Sequence, residues 1–275
     1  GNTSEILADY TVLACGGLGG LYKHSTNFRH LTGDALAIAG KHNIELQNPD
    51  YVQIHPTTFY TKHPEDRSFL ISESVRGEGA RLYDKNMNRF VNELLPRDLL
   101  SQKIHEQMAK DDTDFVWEDL RTIPAETLRH HFPNIVEHCR EMGYDVFKEC
   151  IPVVPAQHYF MGGVKVDYQS RSSMENLYVV GEAACNGVHG KNRLASNSLL
   201  ESLVFARRAA QDMAEHDLKN ASPQNASEIA DYLASHVDFT PYQDIQTLAE
   251  TYHHLATQAI TLGQNPEGRK EFLYV

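Results

Sequence analysis

Apolar residues along the chain alternate between short runs closed by glycine and longer stripes at helical spacing. The first run, Tyr10–Cys15, ends in Gly16-Gly17-Leu18-Gly19-Gly20 and predicts a strand that enters a glycine loop. A helix is predicted from Thr32-Gly33-Asp34, with Asp34 near the N-cap and Ala35, Leu36, Ile38 and Ala39 carrying its apolar side. From Ile44 to Pro155 the pattern changes to short strand-like pieces (Tyr51–Ile54, Arg81–Tyr83) mixed with helical ones. Leu99, Leu100, Ile104 and Met108 follow Pro96-Arg97-Asp98 at helical spacing. A further helix is expected over Pro133–Met142, with Ile135, Cys139 and Met142 on one face and Gly143 as its stop.

From Val164 the chain returns to strand-and-turn patterning. Leu177–Val180 leads into Gly181-Glu182 and a polar, glycine-rich stretch that runs through Gly187, His189, Gly190, Arg193, Ser196 and Ser198 to Glu201. Leu199, Leu203, Ala206, Ala210 and Met213 then recur at steps of four and three, which predicts a buried helix. Ser222-Pro223 reads as a turn or linker, and Ile245, Leu248, Tyr252, Leu255 and Ala259 form a last amphipathic stripe. No internal repeat, low-complexity block or G-x-G-x-x-G motif is present.

At 275 residues the chain has room for one large or two ordinary domains, and 41% hydrophobic with 23% charged residues is a globular composition. The net charge of −12 disfavours nucleic acid or an anionic membrane as partner, so an anionic ligand needs a local Arg and His cluster. No run approaches the ~20 apolar residues of a membrane helix. Cys15, Cys139, Cys150 and Cys185 are far apart and without C-x-x-C spacing, which points to thiols in a reducing cytoplasm and to no metal site.

The strand–glycine loop–helix at 177–201 carries the strongest chemistry. Unpaired N–H groups at a helix entrance attract electron-rich ligand atoms, glycines allow a flat cofactor to approach, and Arg193 supplies a cation. Four other clusters are ambiguous by themselves. His55 in Gln53–Thr57 reads as a structural histidine at a strand stopped by Pro56. The cluster from Ser72, Glu73 and Arg76 through Gly77 and Gly79 to Arg81 reads equally as a polar relay or a solvated turn. Arg97 reads as a solvated residue beside a capping Asp98, and His158 as a buried histidine in an aromatic strand.

In this order the five clusters resemble the flavoproteins of the fumarate reductase, succinate dehydrogenase and L-aspartate oxidase superfamily, over Tyr10 to about Met213. Within it, Gly187–Glu201 and Val153–Tyr159 are closer to the L-aspartate oxidases, since succinate dehydrogenases more usually have glycine where Ala195 stands. The resemblance implies an α/β FAD-binding domain (1–43 and 158–213) interrupted by an α+β capping domain of fumarate-reductase type (44–157). The start of a C-terminal helical domain (214–275) follows. The family's dinucleotide fingerprint falls upstream of the position matching Gly1, which implies only part of the FAD domain and weak or no binding of FAD by this chain alone.

By position, the resemblance assigns non-covalent FAD to Gly16, Gly17, Asp34, Glu182, Ser198 and Leu199. Substrate goes to His55, Ser72, His158, Arg193 and Ser196, and Arg97 is the catalytic arginine with Glu73 and Arg76 as relay. It implies oxidation of L-aspartate to iminoaspartate in the cytoplasm, fumarate as an alternative electron acceptor, and quinolinate synthase as partner in NAD biosynthesis. A fumarate reductase or succinate dehydrogenase subunit and an inactive piece are the competing expectations. Departures from the pattern are Cys15 for threonine, Ala35 for glycine, Ser72 for threonine and Lys191 for a small residue; none removes a required functional group.

Overall fold

The computed structural model describes residues 6–62, 67–220 and 244–263. Along the first half run β1 (Thr11–Leu13), α1 (Asp34–Lys41), β2 (Leu46–Gln47), β3 (Val52–Phe59), α2 (Glu73–Gly77), β4 (Arg81–Tyr83) and α3 (Arg97–Asp111). Then come β5 (Val116–Asp119), α4 (Ala125–His131), α5 (Pro133–Glu141), β6 (Ile151–Phe160), β7 (Gly163–Lys165), β8 (Leu177–Val179) and β9 (Ala184–Cys185). Two long helices follow, α6 (Asn197–Asn220) and α7 (Ile245–Gly263). The expected turn at Ser222-Pro223 lies outside the described residues.

These elements form two compact units, one of 6–21, 31–52, 159–220 and 244–263, the other of 22–30, 53–62 and 67–158. The chain passes between them at Leu21–Tyr22, His30–Leu31, Val52–Gln53 and His158–Tyr159. The family resemblance places these changes at 43/44 and 157/158 and assigns 22–30 to the first part.

In the first unit β1 pairs parallel with β8, and β7 lies antiparallel to β2 and parallel to β9. Ala35 and Ala39 of α1 pack with Val164, Leu177, Val179 and Ala183. Helix α7 lies on α1, where Gly33, at φ +79°, comes so close that a Cβ would sit 3.3 Å from Ala256 Cβ. Gly33, in a left-handed corner that admits glycine, is the N-cap of α1, and Asp34 stands beside it as first helical residue, near the N-cap as expected.

Helix α6 departs from expectation. Its packed face is Glu201, Phe205, Ala209 and Asp212, whereas Leu199 and Leu203 are each 73% exposed. Dedicated donors hold the two acids: Asn186 Nδ2 lies 2.5 Å from Glu201 Oε1, Tyr178 donates to Asp212 at 2.6 Å, and Arg171 pairs with Asp212 as well. Each buried carboxylate of this face thus meets donors from neighbouring segments, as burial requires.

The second unit is a four-stranded sheet in the order β3-β6-β5-β4 with an apolar core of Ile71, Val75, Leu82, Leu100, Ile104, Leu120, Cys139 and Ile151. β3 does not stop at Pro56 but continues to Phe59. As the end strand of the sheet it tolerates a residue without N–H. In α3 the N-cap is Pro96 rather than Asp98, Leu100 and Ile104 are buried, and Leu99 is 47% exposed. Helix α5 buries Ile135 and Cys139 and ends before Gly143 at φ +87°, with Met142 exposed just beyond the last turn.

Candidate active site

In the second unit the expected residues come from three adjoining elements. Alternation along β3 puts Gln53, His55 and Thr57 on one side. Ser72 caps α2 by accepting from Ser74 N–H at 3.3 Å, so its hydroxyl is engaged in shaping the turn that starts with Glu73. Pro96 opens α3 and makes Arg97 its first residue.

Arg97 binds Glu73 Oε2 twice, through Nε at 2.7 Å and an η-nitrogen at 2.5 Å, and its other η-nitrogen reaches Gln53 Oε1 at 3.4 Å. Its side chain is 11% exposed and that of Glu73 51%, so the pair has a sheltered cationic end and a wet anionic end. Arg76, one turn along α2, is buried; it donates to Thr57 Oγ1 at 2.5 Å and to the Glu93 carbonyl at 3.3 Å. Burial pulls the Arg76 pKa down first, and Glu118 and Glu73 pull it back up.

His55 is buried, and its Nδ1 stands 3.0 Å from the Thr57 carbonyl oxygen and 3.2 Å from the Thr57 nitrogen. Either tautomer is therefore held by the same residue. Its pKa is driven well below the usual histidine value, by burial first, then by Arg76, His158 and Arg97. The His55 ring is thus neutral at pH 7. His158 meets it edge-on at 5.4 Å between centroids, and Thr26 Oγ1 lies 2.8 Å from His158 Nδ1. Gln157, next in the strand, accepts from Ser25 at 2.7 Å and Asn27 at 2.9 Å, which pins the segment bearing Thr26. The structure thus brings His55, Glu73, Arg76, Arg97 and His158 together in this unit.

The expected cofactor residues and Arg193 belong to the first unit. Gly16 turns the chain at φ +78°. Gly17 lies against Glu182: a Cβ there would be 2.5 Å from Oε1, which accepts from Phe160 N–H at 2.8 Å. Burial raises Glu182 to about 7, against the Phe160 bond and Arg193, which lower it. Asp34 is exposed at the start of α1 and accepts from Thr32 Oγ1 at 2.7 Å.

Arg193 is buried with its guanidinium 4.5 Å above the Tyr159 ring, while His189 meets the same ring edge-on at 5.4 Å. Its backbone N–H points to Met161 Sδ at 3.3 Å. Ser196 is exposed at φ +65°, Ser198 is half-buried in the first turn of α6, and Leu199 is exposed there. No pattern in the sequence singled out Thr26 or Glu118, and Tyr159 lay inside the aromatic cluster noted around His158. Gln53 and Thr57 lay inside a cluster already noted around His55.

Among the described residues, no group of three or more His, Cys, Asp or Glu is placed to hold a metal ion. No helix there is long and apolar enough to cross a membrane.

The family described as FAD binding domain matches residues 1–199. An L-aspartate oxidase of Clostridium perfringens is 54% identical over 213 residues, 78% of this chain and 48% of that protein. One of Clostridium acetobutylicum is 51% identical over 74% of this chain and 47% of its own length. The chain thus spans about half the length of the curated relatives it matches. Among solved structures, an E. coli quinol fumarate reductase superposes with TM-score 0.69 at 27% identity, over 92% of this chain and 55% of that one. A quinol–fumarate reductase with menaquinol molecules also gives 0.69, at 32% identity over 86% of this chain and 47% of its own.

Proposed function

The chain belongs to the FAD binding domain family, and from that premise we propose that it is part of an L-aspartate oxidase. The whole flavoprotein would convert L-aspartate to iminoaspartate, with non-covalent FAD, when bound, supplying the redox chemistry at Cα. The residues present suit that cofactor. Gly16 and Gly17 expose backbone without Cβ, and any side chain at Gly17 would run into Glu182. Ser198 and Leu199 lie in the first turn of α6, where N–H groups lack helical partners, and Asp34 offers an exposed carboxylate.

One observation carries the reading: a sheltered Arg97, locked to Glu73 and Gln53, stands in one unit with a neutral His55 and with His158. A guanidinium fork grips a carboxylate, imidazoles share hydrogen bonds with further oxygens, and the grip fixes Cα for hydride departure. Arg193 and Ser196 keep the substrate roles that the family resemblance implies. The proton lost from the substrate nitrogen passes to the half-exposed Glu73 and on to solvent, with Arg97 in an electrostatic role rather than as a base, since a guanidinium holds its proton to pKa ~12 or above. Iminoaspartate then goes to quinolinate synthase in the cytoplasm, for NAD biosynthesis, and fumarate serves as an alternative electron acceptor.

The Arg97–Glu73–Arg76 chain and the solved fumarate reductases that superpose on the fold favour a second reading, fumarate reduction. Anaerobic addition of L-aspartate to the full-length flavoprotein should bleach its absorbance. Arg97→Lys, which keeps the charge and loses the fork, should slow bleaching by about 10²–10³-fold. Bleaching by succinate and not by L-aspartate would establish the second reading and refute the first.

A further inference from the structure

Strand β5 places Val116 and Glu118 on the same face, Leu120 follows directly after its end, and the two apolar ones are part of the second unit's core. Glu118 between them is 0% exposed, and neither of its carboxyl oxygens has a hydrogen-bond partner. Its pairing neighbours in the sheet are Leu82 on β4 and Ile151 on β6, both apolar. The charged and titratable groups that face it are Arg76 from α2, Glu93 from the segment before α3, and Cys139 from α5. Arg76 is itself buried and in turn interacts with Glu73 and Arg97. A carboxyl in such a place lowers stability, which marks it as a candidate for a task an apolar residue cannot perform.

We propose that Glu118 is a positioning residue that sets, through Arg76, the charge felt by the Arg97–Glu73 pair. This rests on the reading of that pair given above. When Glu118 is ionised, the charge of Arg76 is balanced from inside the core, and Glu73 is free to take up a proton. When Glu118 is protonated, Arg76 is unbalanced on that side, draws on Glu73 and makes it a weaker proton acceptor. No bond changes in this step; one proton moves between Glu118 and solvent. Burial holds Glu118 at about 7, within the range where this change of charge occurs as the pH varies around neutrality.

The test is the pH profile of kcat/KM for L-aspartate in the full-length holoenzyme. Wild type should show a rise near pH 7, and Glu118→Gln, which stays uncharged, should lack it, with about a tenfold lower rate on the alkaline side. Glu118→Asp should restore a rise at a shifted pH. A rise that survives in Glu118→Gln overturns the inference. Infrared titration of the wild type gives a second reading that no variant's folding can spoil. It should show two protonated carboxyls, those of Glu118 and Glu182, persisting above the ordinary glutamate pKa of ~4.3 and ionising near neutrality; fewer than two is equally fatal. A wild type inactive on L-aspartate sinks the proposed function instead, and the infrared titration then decides about Glu118 alone.

Discussion

Replacing Gly17 by alanine isolates one contact of the expected cofactor corner. The new Cβ would lie 2.5, 2.8 and 3.0 Å from Oε1, Cδ and Cγ of Glu182. Ordinary carbon contacts begin near ~3.5 Å, so the carboxyl has to retreat by roughly 1 Å. It accepts from Phe160 N–H at 2.8 Å, and that retreat takes the bond out of hydrogen-bonding range. Phe160 is buried, so its N–H is left unsatisfied, which costs about 1–3 kcal/mol. At about 2–4 °C per kcal/mol for a domain of this size, the thermal midpoint should fall by roughly 2–12 °C.

Glu182→Ala should lose a similar amount, because it orphans the same N–H. In the double variant the added methyl enters the space that the carboxyl vacated, so Gly17→Ala should then cost almost nothing. A double-mutant cycle in the full-length flavoprotein, read by urea and thermal unfolding, should therefore be non-additive by about 1–3 kcal/mol. FAD affinity measured on the same four proteins separates stability from binding: if Gly17 faces the cofactor, the double variant recovers stability relative to additivity and still binds FAD weakly. Strict additivity, or a Gly17→Ala variant as stable as wild type, refutes the reasoning.

The low pKa of His55 makes a pH prediction whose sign is fixed. Its stabilising contribution is complete above the unfolded value of ~6.5 and is lost as the pH falls from there towards the depressed folded value, so Gln at this position should flatten the acid side of a stability–pH curve. An unchanged curve in His55→Gln refutes it. At Gly162 a Cβ would lie 1.9 Å from the Asn48 carbonyl oxygen, a backbone atom that cannot swing aside, so Gly162→Ala should destabilise by more than ~4 kcal/mol or abolish soluble expression. A Gly162→Ala protein with the wild-type melting temperature refutes that placement.

Local pattern sufficed where burial follows hydrophobicity. Leu100 and Ile104 of α3, Ile135 and Cys139 of α5, and the strand–loop–helix at 177–201 all stand where periodicity and glycine put them. It failed on α6 because Glu201 and Asp212, which score as surface residues, are packed inward by donors at Asn186, Tyr178 and Arg171 that a sequence window does not contain. It misjudged Pro56 because whether proline ends a strand depends on the position of that strand in the sheet. The candidate site was legible only through family resemblance. His55 meeting His158, or Arg97 meeting Glu73, depends on tertiary contacts that no local spacing encodes.

On the proposed function, the electrostatics of the second unit also bear on which dicarboxylate is favoured. Burial and the two arginines hold His55 neutral, so the cationic charge is concentrated on Arg76 and Arg97, with Glu73, Glu93 and Glu118 set among them. A neutral imidazole still bonds a carboxylate oxygen through its one N–H but adds no repulsion towards an ammonium group. Succinate and fumarate carry no such group, and a charged histidine would only help to bind them. L-Aspartate does carry one, so each additional cation around it weakens binding of the amino end while strengthening that of the carboxylates. Restricting the fixed charge to arginines, balanced by acids at known positions, suits the amino acid better than the simple diacid. Raising the charge by acidifying through the His55 transition should then shift the KM ratio of L-aspartate to succinate upwards. A ratio that stays flat across that transition would show that the histidine's charge plays no part in the choice.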